Sequence, residues 1–99
     1  MAVPLRPELR PLEIVPYGPE ENMMFVLRDP QGYGRSAVLH GGAVMVVGMM
    51  DGRRTLSEIR SALKSETGVA VAQAELEEMV RRLDKNYLLV SERFERYRR

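Results

Sequence analysis

The stretch Met49–Gly68, MMDGRRTLSEIRSALKSETG, is a turn leading into a helix with both ends marked. Asp51-Gly52 is a turn dipeptide. Thr55 with Glu58 three residues on forms a capping box ahead of the apolar positions Leu56, Ile59 and Leu63. Gly68 stands where a helix commonly ends on a left-handed residue. The spacing predicts a helix over Leu56–Thr67, and a short turn between two helices is the core of a helix-turn-helix unit.

Both flanks of the stretch extend this pattern. Upstream, Gly41–Met50 (GGAVMVVGMM) is apolar almost all round, which predicts a buried central helix. Gly48 inside it costs about 1 kcal/mol against Ala, and close packing on a neighbour is the expected reason for it. Downstream, Gln73–Lys85 carries Leu76, Met79, Val80 and Leu83 at the spacing of one buried helix face. Its outer face pairs Glu77 with Arg81 and Glu78 with Arg82, both in the favourable i,i+4 order. After Asn86, Tyr87–Val90 reads as a strand or a packed tail, and Ser91–Arg99 (SERFERYRR) as a solvated helix or linker.

The first half of the chain has a period of two. Leu12–Tyr17 (LEIVPY) sets Leu12, Ile14 and Pro16 against Glu13 and Val15, and Pro16 makes it an edge strand because proline cannot donate to a central ladder. Met23–Arg28 (MMFVLR) is a second strand, rich in apolar and aromatic residues. Asp29-Pro30-Gln31-Gly32 has the order of a β-turn, and Arg35–His40 (RSAVLH) follows as a third strand. Residues Met1–Pro11 are punctuated by proline and expected to be extended, with a poorly ordered start. Three strands and then three helices argue an α+β domain, a three-stranded antiparallel sheet with helices packed on one face.

Chemistry is sparse in this sequence. The chain has no cysteine and one histidine, His40, so it offers neither a thiolate nucleophile nor a set of convergent metal ligands. Asp29, Asp51 and Asp84 read as turn start, turn and helix end. The glycine pairs in Gly32–Gly34 (GYG) and His40–Gly42 (HGG) match no nucleotide fingerprint, and no lysine follows as in a P-loop. Met45, Met49, Met50 and Met79 read as core filling. No enzyme activity, metal or cofactor is expected. With 15 Lys and Arg against 14 Asp and Glu, the formal charge of +1 provides no global field for nucleic acid. No apolar run approaches a membrane-spanning length, the N-terminus has no signal-peptide pattern, and the expected compartment is the cytoplasm.

A helix-turn-helix invites comparison with nucleic-acid readers, whose second helix enters the major groove. Here that helix is fronted by Glu75, Glu77 and Glu78, which would repel phosphates. A nucleic-acid-binding protein is therefore the alternative reading. The first reading is a peptide- or protein-recognition module, because the third strand can stand at a sheet edge and offer amides to a guest strand.

The combination of DGRRTLSEI after an apolar helix, LKSETGV, and ELEEMVRRLDKNYLL resembles the PqqD-like winged-helix domains, units of the peptide chaperone in pyrroloquinoline quinone biosynthesis. The resemblance extends through RPELRPLEIVP, MMFVLRDPQGYG and LLVSERFERYRR to the N-terminal PqqD-like domain of bacterial Memo-like proteins. It implies a winged helix-turn-helix over residues 12–90, an extended segment at 1–11 and a charged tail or linker at 91–99. It also implies a partner segment bound along the third strand and third helix, through Ser36, Val38, Leu39, Glu75, Met79 and Arg82. The implied partners are a Memo-domain protein, an AMMECR1-like protein or a radical SAM protein. The dioxygenase-like chemistry of Memo domains does not carry over to a chain with His40 alone.

Overall fold

A computed structural model describes residues 5–99. Three strands, β1 (Glu13–Tyr17), β2 (Met24–Arg28) and β3 (Ala37–His40), form an antiparallel sheet in the order β1-β2-β3. Four helices follow: α1 (Gly41–Val47), α2 (Leu56–Thr67), α3 (Gln73–Lys85) and α4 (Glu92–Tyr97). The fold is α+β, as the sequence predicts.

The register pairs Ile14 with Leu27 and Leu27 with Ala37, and pairs Pro16 with Phe25 and Phe25 with Leu39. Residues directly opposite share a face, so these two rows line the side turned to the helices. Leu27 is fully buried there, with Ala37 and Leu39 packed against the core. The opposite face carries Val15, Val26 and Val38 in one row and Tyr17, Met24 and His40 in the next. All five residues of β1 are exposed, while α1 packs against β2 and β3.

The second helix follows its local signals. Thr55 Oγ1 accepts from the Glu58 amide at 3.2 Å, and Glu58 Oε1 accepts from the Thr55 amide at 2.9 Å. These hydrogen bonds hold the Glu58 carboxyl below its ordinary pKa. Gly68 closes the helix at φ 77°. Arg60 then donates to the Val71 carbonyl at 2.8 Å and fixes the turn into α3.

The first helix departs from expectation. It ends at Val47 rather than Met50, and Gly48 is an exposed C-cap with no neighbour closer than ordinary contact. Close packing is not why glycine stands there. The predicted all-round burial also fails, since Gly41, Gly42 and Met45 are exposed while Val46 and Val47 are buried. Met49 and Met50 reach the core from the turn that follows. On α3, Arg81 takes both Glu77 (3.8 Å) and Glu78 (3.5 Å), and the expected Glu78–Arg82 pair is absent among the described residues.

The described segments on either side of the sheet and helices are woven into the fold. Residues 1–4 of the expected extended segment lie outside the described residues, but Pro7 is fully buried and Arg10 is 3% exposed. The Leu9 amide donates to the Met50 carbonyl, and Leu9 bridges to Leu89, which joins Tyr87–Val90 to the core as a packed strand-like segment. In α4, Phe94 is buried, so this segment is a docked helix rather than a solvated one. Asp84 near the end of α3 accepts from Ser91 and Arg93, tying α4 to α3.

Arg10 sits at the meeting point of these segments. Its guanidinium donates to Asp29 Oδ2 at 2.7 Å, to the Tyr87 carbonyl at 2.8 Å and to Gln31 Oε1 at 2.9 Å, and lies 3.8 Å from the Phe94 ring centre. Asp29 also accepts from the amides of Gln31 and Gly34. Burial alone would raise the Asp29 pKa, but the hydrogen bonds from Arg10, Gly34 and Gln31 outweigh it and hold the carboxyl below its ordinary value. Beside this pair, a Cβ on Gly34 would lie 2.7 Å from Leu88 Cδ2 and 3.0 Å from the Asn86 and Tyr87 carbonyl oxygens.

No helix among the described residues is long and apolar enough to cross a membrane.

Three outcomes follow from the buried pair and the contact at Gly34. Arg10→Met strands a buried carboxylate and should lower unfolding free energy by about 3–5 kcal/mol in urea titration at pH 7. A depressed native pKa adds stability above the unfolded value, lost as pH falls through the native one. The gap between wild type and Asp29→Asn should therefore narrow below about pH 4. A gap that is constant down to pH 2 would contradict it. Gly34→Ala overpacks and should cost about 1–3 kcal/mol; an unchanged urea midpoint would contradict the contact.

Candidate functional site

The third strand and third helix run antiparallel to each other, and the reason lies at one end. The Arg35 amide donates to the Asn86 carbonyl at 2.9 Å, and Gly34 touches Leu88, so the loop entering β3 is pinned to the end of α3. That end is shaped by Tyr87, a non-glycine residue at φ 61°. Its amide donates to Asp84 and the Leu88 amide to Leu83, the two bonds of a Schellman motif. A left-handed tyrosine costs about 1–2 kcal/mol. Stacking on Tyr97 (centroids 3.9 Å, 10° between planes) and the bond from Arg10 to its carbonyl oppose that cost.

From the pinned end, β3 runs back along α3 toward α1. Between them lies an open groove of about 620 Å³. One wall is Ala37, Val38, Leu39 and His40 of β3; the other is the ridge of Glu75, Met79 and Arg82 on α3, continued by its C-cap Asn86. Ala43, Ala74, Glu78 and Leu83 complete the lining. The sheet order makes β3 an edge strand, with β2 on one side and the groove on the other.

Five of the six expected site residues, Val38, Leu39, Glu75, Met79 and Arg82, line this groove. Ser36 does not; it precedes the strand. Within β3 the pleat divides the roles. Ala37 and Leu39 face the helices, whereas Val38 faces the outer side of the sheet and brings mainly its backbone. The sequence reading missed Ala37, His40, Ala43, Ala74, Glu78, Leu83 and Asn86. For Glu78 and Asn86 the signal was present, since they continue the i, i+3/i+4 ridge through Glu75 and Arg82.

The groove is electrostatically divided. Glu78 is compensated by Arg81, while Glu75 near the α1 end and Arg82 near the pinned end make no ion pair among the described residues. A second, smaller hollow of about 220 Å³ adjoins the first and shares Ala43, Glu75 and Met79 with it. Its remaining wall is chiefly apolar, with Met45 and Val46 of α1, Leu63 of α2, and Val69 and Val71 of the turn. This hollow had no signature in the sequence, because its wall is assembled from four separate segments.

His40 is exposed and caps no amide of α1 with its ring. Among the described residues no group of three or more His, Cys, Asp or Glu side chains is placed to hold a metal ion. What the arrangement offers is a strand edge, apolar hollows and separated charges, the parts of a recognition surface.

Comparison with known proteins places this fold. The model of the family "Coenzyme PQQ synthesis protein D (PqqD)" matches residues 17–89, from the end of β1 to the segment after α3. A "MEMO1 family protein" of Aquifex aeolicus (strain VF5) is 30% identical over 90 residues, covering 91% of this chain. The chain spans 23% of that protein's length. No solved structure gives a significant match. A match over most of the chain, running through β2, β3, the helix-turn-helix and both walls of the groove, makes the chain a member of the PqqD family.

Proposed function

We propose that this chain is a non-catalytic peptide- or protein-recognition module of a Memo-like system, binding an extended segment of its partner along β3 and α3. The observation that carries this reading is the open strand edge of β3 facing the ridge of α3 across a groove of about 620 Å³. An added strand satisfies its backbone along β3, and the side chains it turns inward meet Met79, Leu83 and the α3 charges. Membership of the PqqD family and the likeness to a MEMO1 family protein support a recognition or scaffold role. The proposed partners are a Memo-domain protein, an AMMECR1-like protein or a radical SAM protein, met in the cytoplasm.

The acidic front of α3 weighs against nucleic acid. Gln73, Glu75, Glu77 and Glu78 lead the helix that would have to enter a groove lined by phosphates.

Adding each purified partner protein to the isotope-labelled chain tests this reading by NMR. Shifts should appear first at Ala37–His40 and Glu75–Asn86. Shifts confined to Arg53, Arg54 and the C-terminal arginines on adding DNA or RNA, growing as salt falls, would overturn it.

A further inference from the structure

The groove has a polarity that selects its occupant. Arg82 stands at the end where β3 begins, with no ion pair among the described residues, since Arg81 has taken Glu78. Glu75 stands toward the other end, beside Ala43 of α1, and also on the rim of the apolar hollow walled by Met45, Val46, Leu63 and Val69. Met45 is 46% exposed and Val69 52%, so this apolar wall is open to a side chain from outside. The two features lie on one continuous trough through their shared residues Ala43, Glu75 and Met79.

Resting on the strand-addition reading above, we infer that the occupant is an extended segment with an apolar side chain four positions before an acidic one. The apolar side chain fills the hollow between α1 and the α2–α3 turn, and the carboxylate meets Arg82. Direction comes from strand pairing. The sheet is antiparallel throughout, and antiparallel addition is slightly the more favourable mode. A guest antiparallel to β3 starts at the His40 end and finishes near Ala37, so it passes the hollow first and Arg82 last. Spacing comes from the two rises. Glu75 and Arg82 are seven residues apart on α3, about 10 Å along its axis at 1.5 Å per residue. The hollow extends beyond Glu75, and four strand residues cover about 13 Å at 3.3 Å each. Four is an even number, so both side chains leave the guest on the same face, toward α3. An acidic residue at the first position would instead meet Glu75, which makes no ion pair among the described residues.

Three synthetic peptides test this on the full chain by NMR titration: Ser-Leu-Thr-Val-Thr-Glu-Ser, its order-reversed form Ser-Glu-Thr-Val-Thr-Leu-Ser, and the charge-swapped Ser-Leu-Thr-Val-Thr-Lys-Ser. The first should shift Ala37–His40, Met45 and Val69 and bind about fivefold more tightly than either of the others, the size expected for an exposed ion pair made or broken. Arg82→Glu, a change at an exposed position, should reverse the preference between the Glu and Lys peptides. Equal affinity of all three with shifts at β3 would overturn this inference and leave strand addition standing. Shifts at β3 from none of the three would sink both.

Discussion

One buried cation holds the parts of this small domain in register. The Arg10 guanidinium meets the Asp29 carboxylate, the Tyr87 carbonyl, Gln31 and the face of Phe94 at once. Those groups belong to the N-terminal segment, the loop between β2 and β3, the end of α3 and the last helix. Desolvating an arginine is costly unless every donor direction is used and the counter-charge is itself well bonded. Here three of the N–H directions are bonded, the Phe94 ring centre lies 3.8 Å from the guanidinium, and Asp29 also accepts two backbone amides. The same cluster keeps Gly34 against Leu88 and thereby fixes where β3 begins relative to α3. The groove is the geometric consequence: two elements pinned at one end and diverging along an open edge.

The two edges of the sheet are treated differently. The outer edge, β1, carries Pro16, which has no amide hydrogen and makes a poor template for a further strand. Its residues are exposed on both sides, so an added strand would find no helix to pack on. The inner edge, β3, has no proline in Ala37–His40 and lies beside a helix ridge with apolar and charged positions. An edge protected on one side and furnished on the other is the arrangement expected where strand addition is functional rather than hazardous.

The helices and strands were legible in the sequence wherever a local signal is self-sufficient. The Thr55/Glu58 box, the Gly68 stop, the Leu76–Leu83 stripe and the Asp29–Gly32 turn each depend on residues a few positions apart. The first helix was overextended because apolar residues continue past Val47. Met49 and Met50 are buried for the sake of the core and not of a helix, and periodicity cannot separate the two. Arg10 was invisible for a different reason. Its partners lie far away in sequence, Tyr87 by 77 residues and Phe94 further still, and nothing near it marks a proline-flanked arginine as so well connected a cation. The left-handed Tyr87 was hidden likewise, since its ordering contacts come from Arg10 and Tyr97. Within the candidate site, the α3 residues follow from helical spacing and the β3 residues from the edge. The apolar hollow beside Met45 and Val69 draws on α1, α2, the turn after it and α3, and has no linear signature.

Strand addition requires β3 to be an open edge that a partner segment closes, and amide hydrogen exchange across Ala37–His40 tests this most directly. In the free chain, alternate amides of this strand should exchange quickly, because only one side of β3 is bonded to β2. A saturating guest should slow those same amides while leaving β1 unchanged. Uniformly slow exchange along β3 in the free chain, or exchange unaltered by a bound partner, would contradict the account.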